Sequence, residues 1–285
     1  MSNALIEVRD LVVEYPVKGI GRKPFRALEE VSLEIEPGEC VGLVGESGSG
    51  KSTLGRAILG LAPVSGGRIH FSGRDIGDLR RAQRRELAKD IQVVFQDPYS
   101  SLNPALSVHE TLVEPLRAQG YSMRDASARV DGLLERVALP RGASRRMPSE
   151  FSGGQRQRVA IARALALSPK LIVCDEAVSA LDPSTQTRVL ELLSEIQRDT
   201  GVAYLFISHD LAVVRHMSHR VAVMYRGSIV EQGDAARVTS NPEHPYTQRL
   251  LLAAPVADPK RQAVRRELRR RLLESDQSGA ASVVS

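Results

Sequence analysis

One short stretch, Gly45-Glu-Ser-Gly-Ser-Gly-Lys51-Ser52, constrains this chain more than any other. It fits the spacing G-x-x-x-x-G-K-[ST], follows the apolar run Cys40–Val44, and opens a helical pattern in which Leu54, Ile58 and Leu61 share one face. Such an order places a phosphate-binding loop between a strand and a helix. The backbone N–H groups of Gly45, Glu46, Ser47, Gly48, Ser49 and Gly50 can turn toward one anion, and the positive end of the helix, with Lys51, Ser52 and Thr53, points at the same spot. Lys51 reaches the β- and γ-phosphates of a nucleotide, and the Ser52 hydroxyl is placed to bind Mg²⁺.

Two further stretches say what such a loop is for. Leu171-Ile-Val-Cys174 reads as a buried strand ending in Asp175 and Glu176. Asp175 at the strand end suits Mg²⁺ held through water, and Glu176, pointing elsewhere by alternation, suits polarising an attacking water. Phe151-Ser152-Gly153-Gly154-Gln155 precedes the helical pattern Arg156–Leu167, so a serine and two glycine N–H groups sit at a helix start. That is a second anion site. Two anion sites on one chain invite a head-to-tail pair, in which one chain's turn covers the γ-phosphate held by the other.

The remaining pattern is that of an α/β protein. Leu5–Glu14 and Val31–Glu36 alternate with period two, with a loop expected from Pro16 to Arg26. Ile91–Phe95 and Tyr204–Ile207 are short apolar strands, Val189–Gln197 is helical, and Val221–Tyr225 with Ser228–Glu231 reads as a hairpin. Pro63 and Gly66-Gly67 end the first helix, and from Gln96 to about Ser168 the pattern is mostly helical. Strands separated by helices imply a mainly parallel sheet covered on both faces.

Composition excludes several classes. Trp is absent and aromatics make up 4% of the chain, which argues against a nucleic-acid partner bound by stacking. The only cysteines, Cys40 and Cys174, lie in apolar runs, which argues against a disulfide framework or zinc site. The start lacks the pattern of a signal peptide, and the longest apolar run, Leu250–Ala257 with Pro255 inside it, is too short to span a bilayer. Net charge is +5, but seven basic residues and one acid fall between Lys260 and Arg271, so the excess belongs to that tail. The tail reads as a solvated helix or as a contact for anionic lipid headgroups.

FSGGQRQRVAIARALA, taken with the phosphate loop, resembles the ABC transporter ATPases over most of the chain from Leu5 to about Glu231. The resemblance implies a P-loop NTPase fold: a RecA-like core at about 1–95 and 168–238, an N-terminal antiparallel β-subdomain, an inserted helical subdomain at about 96–167, and a C-terminal extension at 239–285. It implies ATP and Mg²⁺ as ligands. Gln96 resembles the Q-loop glutamine that touches Mg²⁺, Asp182 belongs to a D-loop, and His209 resembles the switch histidine that contacts the γ-phosphate. Tyr15 stands where an aromatic stacks on adenine, with Phe25 as the alternative. Ala177 replaces the usual proline and Phe151 the usual leucine, and neither change removes a polar group.

Three stretches, VFQDPYSSLNP, VMYRGSIVEQG and NPEHPYTQRLLLAAP, resemble the oligopeptide and dipeptide importers. That likeness implies a second ATPase subunit (a different chain or a second copy), two transmembrane permease subunits, an external solute-binding protein, and a peripheral place on the cytoplasmic membrane face; the position of Gln96 at the strand-to-insert border suggests that the permeases dock near Tyr99–Asn103. The stretch around His244-Pro245-Tyr246-Thr247 reads as a loop leading into a helix that packs on the body. Importers of nickel or another small solute, exporters, soluble ABC ATPases and a non-hydrolysing partner are the alternatives.

Overall fold

The computed structural model describes residues 4–17, 19 and 23–253. The first alternating stretch is β1 (Ile6–Tyr15), antiparallel to β2 (Phe25–Ile35), with Tyr15 opposite Phe25. The expected loop therefore stops short of Arg26 and the strand starts before Val31. Pairing to β1 carries β2 back to Phe25, where the local sequence has no strand pattern. β3 (Cys40–Val44) leads through the glycine loop into α1 (Lys51–Ile58). Leu61, expected on the buried face of that helix, is 64% exposed, because Gly60 at φ +68 has already turned the chain away. An unforeseen strand, β4 (Gly66–Phe71), pairs antiparallel with β1 and is followed by the short β5 (Arg74–Asp75). The small sheet runs β2-β1-β4-β5.

Next come α2 (Arg81–Leu87) and β6 (Ile91–Phe95), then α3 (Pro98–Ser101), α4 (Val108–Ala118), α5 (Met123–Arg136) and α6 (Gly153–Leu165). The chain returns through β7 (Leu171–Asp175), α7 (Pro183–Thr200), β8 (Ala203–Ser208), α8 (Leu211–Met217) and the hairpin β9 (Arg220–Tyr225)–β10 (Ser228–Asp234). It closes with α9 (Ala235–Ser240) and α10 (Pro245–Ala253). The large sheet runs β10-β9-β3-β8-β7-β6, parallel except for the β9–β10 hairpin, as in P-loop NTPases. The tail Lys260–Arg271 and the end of the apolar run at Ala254–Ala257 lie outside the described residues. Among those described, no helix is long and apolar enough to cross a membrane.

Alternation along buried strands splits the core into two. Val41 and Leu43 of β3, Leu171 and Val173 of β7, and Leu205 and Ile207 of β8 pack with α1 and the small sheet. Cys40, Val44, Ile172, Cys174, Tyr204 and Phe206 face the helices on the other side. Both faces are dry, so these strands are apolar at every position. Each such aliphatic side chain contributes about 1.5–3 kcal/mol on full burial. Tyr204 is buried with its hydroxyl satisfied, donating to the Leu193 carbonyl at 3.1 Å.

Burial pushes the Cys40 thiol up to about 12 and raises Cys174 as well. A raised thiol pKa leaves almost no thiolate at pH 8, and access is closed too. Neither cysteine is expected to react with a disulfide reagent such as DTNB in the folded protein, and both are expected to react in guanidinium. Titrating released thiolate under the two conditions checks this.

Candidate nucleotide site

The phosphate loop joins β3 to α1 at the carboxyl end of the large sheet, where α/β proteins gather ligands. Gly50 is the N-cap of α1 with φ +107, and a Cβ there would lie 2.9 Å from the Ala27 carbonyl oxygen. Only glycine fits that turn. No side chain caps α1, so the N–H groups of its first turn remain available to an anion. Lys51, 4% exposed, donates from Nζ to the carbonyls of Gly45 and Glu46, both at 2.8 Å. Burial lowers its pKa, while the carboxylates of Glu176, Asp175 and Glu46 work against that shift. The loop is held from outside by Gly227, whose N–H donates to the Ser49 carbonyl at 2.9 Å.

Ser52 Oγ donates to Asp175 Oδ1 at 2.8 Å. The parallel register puts Asp175 at the end of β7, beside Phe95 and Ile207. Burial raises the Asp175 carboxyl above its ordinary value, and the Ser52 hydrogen bond partly opposes this. A half-buried carboxylate beside a hydroxyl oxygen is a hard donor set that gains from a nearby cation, which fits Mg²⁺. Glu176 leaves the strand with φ +52, and its N–H donates to the Ile207 carbonyl at 3.0 Å. Its Oε2 lies 3.4 Å from His209 Nδ1.

Of these groups Gly50, Lys51, Ser52 and Glu176 line a cleft of about 260 Å³; Gly45, Glu46, Ser49, Asp175 and His209 are not among its lining residues, and the Glu46 N–H is taken up by the Tyr246 hydroxyl. Tyr15, Phe25 and Ala27 line one part, Ser47, Gly48, Gly50, Lys51, Ser52 and Thr53 another, and Glu176 the rest. Both aromatics weighed from sequence are present, because the β1–β2 register pairs them.

The other predicted residues sit elsewhere. Ser152 caps α6: its Oγ accepts from the Gln155 N–H at 3.3 Å, and Gln155 Oε1 accepts from the Ser152 N–H at 3.1 Å. A Cβ on Gly154 would lie 2.2 Å from Thr185 Cγ2, so this glycine lets α6 start against α7. Gly153 faces Leu181 on the same side. Asp182 caps α7, and hydrogen bonds from Thr185 and Ser184 pull its carboxyl down to about 2. None of Ser152, Gly153, Gly154, Gln155 and Asp182 lines the cleft. Gln96 follows β6 and is exposed at the border of the helical segment. Sequence reasoning missed Gly227 and Tyr246 at the loop. Their contacts cross 178 and 200 positions, and no local pattern encodes them.

The sequence pattern of the ABC transporter family matches residues 28–179, and that of the oligopeptide/dipeptide transporter C-terminal region matches 230–279. The glutathione import ATP-binding proteins GsiA of Shigella flexneri and Escherichia coli are 53% identical over 269 residues, 93% of this chain. The chain spans 43% of the length of these relatives. Among solved structures, CbiO1 from Clostridium perfringens, part of the ABC transporter complex CbiONQ, superposes with TM-score 0.75 at 29% identity, covering 87% of this chain and 96% of that one. The ATP-binding cassette MJ0796, a dimer in a post-hydrolysis state with ADP and phosphate, gives 0.72 at 29% identity, covering 81% and 98%. With the glycine loop, the Asp175–Glu176 strand end and the serine-capped α6 arranged as described, this chain belongs to the ABC transporter family.

Proposed function

We propose that this chain hydrolyses ATP to power import of oligopeptides or dipeptides through a membrane ABC transporter. One observation carries the reading. The cleft and the serine-capped start of α6 are separate on a single chain, so each needs a second ATPase subunit to complete it. The paired subunit is a different chain or a second copy. Two permease subunits, joined to an external solute-binding protein, would hold the pair on the cytoplasmic membrane face. The identity with glutathione importers, and the C-terminal region of oligopeptide/dipeptide type, support a short peptide as cargo.

In this reading the first turn of α1 and Lys51 bind the phosphates, and Tyr15 or Phe25 stacks on the base. Ser52 and Asp175 would hold Mg²⁺, with Gln96 nearby. The ion would offset phosphate charge that repels a nucleophile. Glu176 orients a water and takes its proton as the water attacks the γ-phosphorus, while the bond from that phosphorus to the β–γ bridging oxygen breaks and ADP leaves. His209 steadies Glu176 and contacts the γ-phosphate. Ser152, Gly153, Gly154 and Gln155 serve the partner's nucleotide, and Asp182 lies beside that boundary. Loss of the bridging phosphate lets the halves part, and Gln96 passes that change to the helical segment and the permeases.

The test is uptake into proteoliposomes carrying this chain with its permeases and paired ATPase, with binding protein outside. ATP-dependent accumulation of a labelled dipeptide, oligopeptide or glutathione is expected. Accumulation of nickel in place of peptide would transfer the reading to the small-solute alternative.

A further inference from the structure

We infer that Tyr246, in the C-terminal region, is a positioning residue for the phosphate loop and ties that region to nucleotide affinity. The inference rests on the nucleotide reading above. The Glu46 N–H donates to the Tyr246 hydroxyl at 2.9 Å. The carbonyl of the same peptide unit, that of Gly45, accepts from Lys51 Nζ. In a trans peptide these two groups point to opposite sides. The first peptide of the loop is therefore clamped at both edges, by Lys51 on one side and by Tyr246 on the other.

Tyr246 is itself firmly placed. It is 3% exposed, and its ring lies 4.2 Å from that of Tyr225 at the end of β9. The neighbouring β9 residue, Met224, presses its carbonyl against Gly45, where a Cβ would come within 2.2 Å. The buried Glu231 carboxylate of β10 accepts the N–H groups of Glu243 and His244 at 3.0 and 3.1 Å. His244 Nδ1 accepts the Tyr246 N–H at 3.1 Å. Glu231, His244 and Tyr225 thus hold the hydroxyl at one point in space.

The two edges of the clamp behave differently when a nucleotide binds. Lys51 is the loop's own cation, and a phosphate draws its ammonium away from the Gly45 and Glu46 carbonyls. Tyr246 bears no charge, so the Glu46 N–H stays fixed while Lys51 changes partners. Without the hydroxyl a backbone donor loses its partner, and the free loop gains conformations that binding must then remove.

The experiment compares wild type with Tyr246→Phe, which keeps the ring on Tyr225. On the full chain, calorimetric titration with MgATP is expected to show about tenfold weaker binding. The thermal midpoint of the ligand-free protein is expected to stay within about 4 °C of wild type. In the assembled transporter the KM for MgATP is expected to rise while kcat stays within about twofold. By reciprocity, saturating MgATP is expected to slow amide exchange of residues 243–250 in wild type, and to slow it less in the variant. Equal affinities for MgATP would overturn the inference. So would an affinity loss that tracks a large fall in thermal midpoint, since that is general destabilisation. A wild-type chain that binds no MgATP would instead defeat the nucleotide reading itself.

Discussion

Glu176→Gln is expected to lower ATP turnover of the assembled transporter by about 10²–10⁴-fold while leaving MgATP binding within a few-fold of wild type. That loss corresponds to about 2.7–5.4 kcal/mol of transition-state stabilisation. Glutamine keeps the shape and can still hydrogen-bond a water, but it cannot accept the proton released as the water attacks. The carboxylate lines the cleft and lies 3.4 Å from His209 Nδ1. The amide in its place keeps the Ser52–Asp175 hydrogen bond, and it removes one of the three carboxylate charges that favour the Lys51 ammonium. The nucleotide is then held but not consumed, so the paired ATPase subunits are expected to accumulate in their closed state, visible as a stable dimer by size-exclusion chromatography in MgATP. Turnover within twofold of wild type would remove Glu176 from the chemistry.

Lys51→Ala acts one stage earlier. It is expected to weaken MgATP binding by about 10- to 150-fold, the range for losing a charged hydrogen bond. Under the proposed reading the variant would lose the cation nearest the phosphates, and it leaves the carbonyls of Gly45 and Glu46 without their Lys51 donor. The two variants therefore separate the roles. The lysine change appears in calorimetric binding, and the glutamate change in phosphate release at saturating nucleotide. A Lys51→Ala protein that bound and hydrolysed at full rate would mean the glycine loop is not where the nucleotide sits.

Much of this arrangement was legible because the relevant signals are local. β3, β6 and β7 had the expected bounds to within a residue: β3 and β7 are buried on both faces and so stay apolar up to the polar site, and β6, at the sheet edge, breaks its apolar run only at the half-buried Gln92. The glycine loop and the Asp175–Glu176 strand end stood out because a site for phosphate and Mg²⁺ would demand particular residues at fixed spacing, and the structure places Ser52 Oγ 2.8 Å from Asp175 Oδ1. The start of β2, the whole of β4 and the exposure of Leu61 were not legible. β4 opens with two glycines and owes its conformation to β1, and Leu61 follows a left-handed glycine whose turn serves that later pairing. The hydroxyl of Tyr246 on the Glu46 N–H was invisible for the same reason at longer range, because it depends on how α10 seats against β9 and β10.

The tight seating of Gly154 on Thr185 has a consequence for timing. Asp182, which caps the helix bearing Thr185, stands six positions after Glu176. A shift at the end of β7 that swings the cap of α7 would press the Thr185 side chain on the start of α6, because its methyl already fills the place of a Gly154 Cβ. Under the head-to-tail arrangement, each polypeptide would then relay the spent or unspent condition of its own fuel to the turn that grips its neighbour's. The two combustion chambers of such an engine would fire as a correlated pair.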